Sequence, residues 1–281
     1  MIKFNLLCSG SKGNSCLIED GDTKVLIDCG STKKYLLSSL ENLNIRIEDL
    51  DGLVITHDHS DHISQIRFFK EIPIYSPVTI EEVDTFTVRP MQEFTIGSLR
   101  FVPVPLSHDA PATTGYCIDN GAEKLVYITD TGYLNQRYIS LLSDADYYIF
   151  ESNHDVSMLM QTSRPQYIKR RICSDEGHLN NEDCAVALST LISSRTRMIV
   201  LAHISQQGNT RQKALEVTCD YLLKNRTDLN QDLIVAAAGQ FEWVAGGGDN
   251  EEVDPGSVYR AIGLEYRTDS SSVDTVISTC R

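Results

Sequence analysis

Thr56-His57-Asp58-His59-Ser60-Asp61-His62 places three histidines and two acids within six residues. The stretch follows Gly52-Leu53-Val54-Ile55, an apolar run that reads as a strand. On an extended loop, side chains two apart point the same way, so His57 and His59 present their imidazoles together. Asp61 and His62 open a helix and reach a second position. Imidazole and carboxylate are ligands for Zn²⁺, Mn²⁺ or Fe²⁺. The plainer alternative is a polar loop whose Asp61 caps the helix.

Working outward, the first half reads as short strands between turns. The expected strands are 3–8, 15–19, 23–28 and 52–56, then runs near 72–75, 85–88, 98–104, 113–118, 124–129 and 145–151. Helices are expected over 32–43, 61–70 and 134–142. The second half is richer in helix, at 165–173, 180–193 and 210–224, with buried strands at 198–202 and 233–237. Asn180 precedes an acidic first turn and suits an N-cap. Strands early and helices interleaved predict two sheets covered by helices in one α/β domain over residues 1–245. After Trp243 the composition changes. Residues 249–281 carry seven acids against three arginines. The expectation is therefore an acidic, disordered tail over 246–281 that is dispensable for folding.

Lysines and arginines number 25 against 39 acids, a net charge of −14. A purely electrostatic grip on nucleic acid is disfavoured, unless metal ions and a local basic patch reverse the field at one face. The eight cysteines are scattered singly with no CxxC pair. With no secretory signal at the N-terminus they read as reduced thiols, and the expected compartment is the cytoplasm. No apolar run approaches the ~18 residues of a membrane span.

The pattern His57-x-His59-x-Asp61-His62 resembles the signature of the metallo-β-lactamase superfamily. The chain carries the other motifs of that family in order. Asp28 ends Val25-Leu26-Ile27, and His108 follows Leu106-Ser107. Asp130 sits in Ile128-Thr129-Asp130-Thr131-Gly132, and His203 in Val200-Leu201-Ala202-His203-Ile204-Ser205. Four further stretches resemble the YycJ/WalJ-like group of bacterial metal-dependent DNA exonucleases. They are Ser9-Gly10-Ser11-Lys12-Gly13-Asn14-Ser15, Thr129 to Tyr133, Glu151-Ser152-Asn153-His154-Asp155, and Lys169-Arg170-Arg171-Ile172 with Gly177-His178-Leu179. The likeness spans about residues 1–240.

The resemblance implies an αββα sandwich of two mixed β-sheets flanked by helices. It implies two divalent metal ions, Zn²⁺ or Mn²⁺. His57, His59 and His108 would hold the first, and Asp61, His62 and His203 the second, with Asp130 between them. Asp28 would support a ligand from behind. The activity implied is a dinuclear metal-dependent phosphodiesterase, most simply a DNA exonuclease. Asp61 would orient the attacking water or take its proton. His178, oriented by Glu151, would protonate the leaving oxygen. Read alone, Glu151 and His178 are equally well local caps. His154 has no assigned role.

The Ser9–Ser15 loop is either a plain glycine turn or a phosphate cradle, with Ser11, Lys12 and Asn14 as contacts. Lys169, Arg170 and Arg171 are either a solvated helix face or contacts to a nucleic-acid backbone. Only 72 residues separate Asp130 from His203, and 21 separate His108 from Asp130. By resemblance, neither interval holds the inserted domain of RNA-processing and DNA-repair relatives or a long tRNA-gripping arm. DNA is therefore expected as substrate rather than RNA. The alternative activity is a thioester, lactone or lactam hydrolase on the same metals, which needs no Glu151/His178 pair.

Overall fold

The computed structural model describes residues 1–248 and 258–262. The strands are β1 (Ile2–Cys8), β2 (Ser15–Asp20), β3 (Thr23–Ile27), β4 (Gly52–Val54), β5 (Ile74–Ser76), β6 (Phe86–Thr87), β7 (Phe94–Ile96) and β8 (Leu99–Leu106). They continue as β9 (Thr113–Asp119), β10 (Lys124–Ile128), β11 (Tyr147–Glu151), β12 (Met198–Ala202), β13 (Leu233–Ala237), β14 (Val244–Gly247) and β15 (Val258–Ile262). The helices are α1 (Lys33–Asn42), α2 (Ser60–Ile63), α3 (Ile139–Leu142), α4 (Val156–Gln161), α5 (Gln166–Ile172), α6 (Asn181–Leu191) and α7 (Arg211–Asn225).

Two mixed sheets form, in the orders β14-β1-β2-β3-β4-β5-β6 and β15-β13-β12-β11-β10-β9-β8-β7. In the first, β3 to β6 run parallel; in the second, β10 to β13 do. The period of two along these strands sorts the core into layers. Tyr147 and Ile149 of β11 face the first sheet and meet Phe4 and Ile18. Tyr148 and Phe150 point the other way, against Leu188 of α6 and Leu215 of α7. Leu17, Leu26 and Leu53 on the outer face of the first sheet pack on Leu36 and Leu40 of α1. The result is the expected αββα sandwich.

Three local expectations change. The helix read over 61–70 stops at Ile63, because the Gln65 N–H donates to Cys29 O instead of continuing the turn. The short α4 and β7 carry too few residues to show a period. The boundary expected at 245/246 falls within β14, whose Gly246 and Gly247 pair with Phe4 and Lys3. A Cβ on Gly246 would meet the Phe4 ring at 2.4 Å and Met198 Sδ at 2.6 Å, so glycine lets this edge close. Of the expected tail, β15 adds antiparallel to β13 and covers that edge. Residues 249–257 and 263–281 of that tail lie outside the described residues. Among the described residues, no helix is long and apolar enough to cross a membrane.

Parallel strands aim their carboxyl ends one way, and side chains gather in the crevice beyond them. Here β3, β4, β10, β11 and β12 deliver Asp28, Thr56 and His57, Asp130, Glu151 and His203 to one edge of the sandwich.

Candidate metal centre

Asp28, Asp130 and His203 leave their strands with φ of 57°, 59° and 54°. Non-glycine residues adopt this left-handed region rarely and at a cost, and such positions cluster at functional sites. The turns are held by specific bonds. The Cys29 N–H donates to His62 O (2.7 Å), and the Asn14 N–H to Asp61 O (2.8 Å). The space is so close that a Cβ on Gly30 would lie 1.8 Å from Asp61 O. His203 N donates to Ser9 Oγ (2.8 Å), and its carbonyl accepts from Asn153 Nδ2 (2.8 Å).

Three groups of donors converge, each with its ligand atoms within 4.8 Å of one another. They are His57, His59 and His108; His57, His62 and Asp130; and Asp130, Glu151, His178 and His203. The sequence-expected trio His57, His59 and His108 is one of them. His108 Nδ1 donates to Gly177 O at 3.0 Å, which leaves Nε2 as the free nitrogen. In the second expected set, Asp130 Oδ2 lies 3.4 Å from His62 Nε2, and Asp130 Oδ1 lies 3.1 Å from His203 Nδ1. Asp61 Oδ2 is 3.8 Å from His62 Nε2 and belongs to none of the three groups.

Behind these side chains stands a second layer. Asp28 Oδ2 accepts from His62 Nδ1 (2.7 Å) and from Thr56 Oγ1 (2.9 Å), while Oδ1 accepts from the Thr56 N–H (2.8 Å). Thr56 Oγ1 also lies 3.0 Å from His57 Nδ1. Glu151 is fully buried and spends both oxygens. Oε2 accepts from the N–H groups of Thr131 (2.8 Å) and Leu179 (3.2 Å). Oε1 sits between His178 Nδ1 (2.8 Å) and His203 Nδ1 (2.9 Å).

The charges follow from these contacts. Burial, then the neighbouring His62, drives His57 far below the usual imidazole range, and burial lowers His108. Both imidazoles are neutral and offer lone pairs. Burial opposes charge on His62, yet Asp28 and Asp130 outweigh it and raise that imidazole well up. Against the same penalty, Asp130 and Glu151 lift His203 to about 9. Burial likewise opposes charge on Glu151, but His178 and His203 hold it down to about 2. Asp130 stays well below the carboxylate range because His203 and His62 outweigh its burial. A cation at His62 and His203 would compete with protons more than one at His57 and His108.

The donor set fits divalent cations. Two buried donors, His57 Nε2 and Asp130 Oδ2, have no hydrogen-bond partner among the described residues. Such groups are costly to bury unless something binds them. Asp28→Asn tests the support of His62, and asparagine tolerates the left-handed backbone at that position. The expected result is metal affinity on the His62 side lowered about 10–100-fold, the usual loss with an outer partner. Competition with a chromophoric chelator measures it; an unchanged affinity contradicts it.

Two candidate contacts are corrected. Lys169 is buried, and its ammonium donates to the carbonyls of Met160 (2.7 Å) and Thr162 (2.7 Å), so it cannot reach a nucleic acid. Asn14 is also buried. Its Oδ1 accepts from Gly10 N (2.7 Å), and its Nδ2 lies 2.9 Å from His62 Nε2 and 3.3 Å from Asp61 Oδ2. It braces the metal-side residues rather than cradling a phosphate. Ser11, Lys12, Arg170 and Arg171 are exposed. His154 is buried and pushed down to about 4, with Nε2 3.6 Å from Cys173 Sγ. Thr56, Asp109 and the Gly177 carbonyl escaped the sequence reading, because each acts through a partner distant in the chain.

Residues 23–204 match a family described as the beta-lactamase superfamily domain. The chain belongs to the metallo-β-lactamase superfamily. Within this superfamily, the exodeoxyribonuclease YycJ of Bacillus anthracis is 34% identical over 229 residues, 76% of this chain and 86% of that protein. The exodeoxyribonuclease WalJ of Streptococcus pneumoniae is 34% identical over 230 residues, 75% of this chain and 85% of that protein. The crystal structure of the metallo-β-lactamase-fold protein YhfI from Bacillus subtilis shares the fold, with a TM-score of 0.64 and 21% identity. That match covers 87% of this chain and 99% of YhfI. The protein is accordingly a hydrolase of the metallo-β-lactamase superfamily whose histidines and aspartates can hold metal.

Proposed function

We propose that the protein is a dinuclear metal-dependent phosphodiesterase that degrades DNA from an end. The observation that carries this reading is the His178–Glu151 pair at 2.8 Å beside Asp130. A thioester hydrolase needs no such group, since a thiolate leaves unprotonated, whereas a departing sugar oxygen needs a proton. The likeness to two exodeoxyribonucleases at 34% identity supports DNA as the polymer. A cytoplasmic setting fits the seven described cysteines, all free thiols.

In this reading His57, His59 and His108 hold one cation. Asp61, His62 and His203 would hold the other, with Asp130 beside both His62 and His203. Zn²⁺ and Mn²⁺ both suit a mixed imidazole and carboxylate set. Bound there, the two ions supply positive charge against the phosphate and acidify water for attack. The protein does the rest. Asp61 orients the attacking water, and its Oδ2 is itself steadied by Asn14 Nδ2. Asp28 fixes the His62 ring, and Gly177 O fixes His108. Glu151 aims His178 at the leaving oxygen.

The test is incubation of metal-loaded protein with end-labelled single- and double-stranded DNA, RNA, a thioester and a lactam. Release of mononucleotides from DNA, abolished by a chelator, is expected. Turnover of the thioester or lactam with DNA left intact would replace this reading by the carbonyl-hydrolase alternative. Elemental analysis of the reconstituted protein should find about two ions per chain, the number its two ligand sets provide for; fewer than one refutes the metal assignment.

A further inference from the structure

Helix α5 ends beside the site, and of its basic run only Arg171 has a side chain tied to it. Its Nε donates to Asp109 Oδ2, while Asp109 Oδ1 lies 3.3 Å from His108 Nε2 and 4.0 Å from His59 Nε2. One carboxylate thus stands between the guanidinium and two of the three imidazoles of the first donor group.

Among the described residues, the way Arg171 pairs is unlike the other arginine–aspartate pairs. Arg46, Arg100, Arg195 and Arg226 each close on one aspartate with both Nε and Nη2. Arg171 uses Nε alone, and Nη1 and Nη2 make no hydrogen bond among the described residues. Its side chain is 51% exposed, so the terminal nitrogens can meet a ligand. A guanidinium presents its donors in a rigid fork that matches the oxygens of a phosphate. A half-exposed ion pair contributes little to stability, so fold maintenance is a weak reason for the arrangement. The loop carrying Asp109 is also fixed to the turn after α5 through His108 and Gly177 O.

We propose that Arg171, positioned by Asp109, binds a backbone phosphate of the substrate strand next to the one being cleaved. The proposal rests on the phosphodiesterase reading above. It makes the site one for a polyanionic strand rather than for an isolated phosphodiester. It also answers how a chain of net charge −14 holds DNA, by one aimed cation at the metal edge instead of a basic face.

The test compares wild type with Arg171→Gln and Arg171→Lys, metal-loaded, on a DNA oligonucleotide across a range of salt. Loss of one two-point phosphate contact is expected to raise KM about tenfold with kcat within about twofold, and to make the salt dependence shallower by about one unit of slope. Lysine keeps the charge but not the fork, so Arg171→Lys should regain the slope and only part of the affinity. A purely structural arginine would move stability and kcat, not the slope. Wild-type KM and slope in Arg171→Gln overturn the proposal. If wild-type protein cuts no DNA, the phosphodiesterase reading fails. Anisotropy with a phosphorothioate oligonucleotide then still reads Arg171: weaker, less salt-sensitive binding by Arg171→Gln supports its role, and equal binding refutes it.

Discussion

Asp130→Asn is expected to strip the protein of at least one metal ion and to cut DNA hydrolysis by about 10²–10³-fold, the scale on which a lost charge-stabilising group is felt. Asp130 is the one residue shared by the His62 group and the His203 group, and it is only 2% exposed. Its Oδ2 has no hydrogen-bond partner among the described residues, so it is held ready for a cation and not spent on the fold. His203 and His62 keep it ionised despite burial. Asparagine removes that charge from between His62 and His203. The backbone should not object, since asparagine is among the residues that best tolerate the left-handed conformation at φ 59°. Fold and thermal midpoint therefore serve as the internal control. Two retained ions with turnover within about tenfold of wild type would remove Asp130 from the centre of the site.

Much of this site is legible in the sequence, for a physical reason. The candidate ligands and the groups that support them sit at strand ends, where an apolar run stops and a polar residue begins. Val25-Leu26-Ile27-Asp28 and Leu201-Ala202-His203 show that break without any tertiary information. What stays hidden depends on register. Ile27 pairs with Val54, which brings residues 28 and 55 level and lets Thr56, one residue further on, reach Asp28 with its Oγ1. No local pattern states that pairing. The same holds for the Gln65 N–H that ends α2 by turning to Cys29 O.

Lys169 is a different kind of miss, because a signal was present. It stands three residues before Ile172, and both lie on the buried face of α5. A run of three basic residues reads as solvated, but helical spacing puts one of them inside. Its four-carbon stem crosses the apolar layer, and its ammonium finds two carbonyls. The structure thus divides the run into a structural lysine, an exposed Arg170, and an Arg171 tied to the metal edge.

His178→Ala should lower turnover on DNA by about 10²-fold or more, the usual scale for a lost general acid, while metal content stays at the wild-type level. The competing role is that of a ligand, since His178 is close enough to Asp130, Glu151 and His203 to join them on a cation. The exposure of the ring favours the acid. His178 Nδ1 is committed to Glu151 Oε1 at 2.8 Å, and Asp130 is 3.8 Å away. Glu151 in turn has no lone pair to spare, with two imidazoles on one oxygen and two backbone N–H groups on the other. The His178 side chain is 16% exposed where Glu151 is at 0%, so the imidazole reaches solvent and the carboxylate stands behind it. The leaving group supplies the sharper test. A deoxyribose oxygen needs a proton as it departs; p-nitrophenolate does not. The defect of His178→Ala should therefore shrink to a few-fold at most on bis-p-nitrophenyl phosphate, out of the about 10²-fold expected for a lost acid. Equal losses on both substrates would remove the proton-donor role, and an emptied metal site would make His178 a ligand after all.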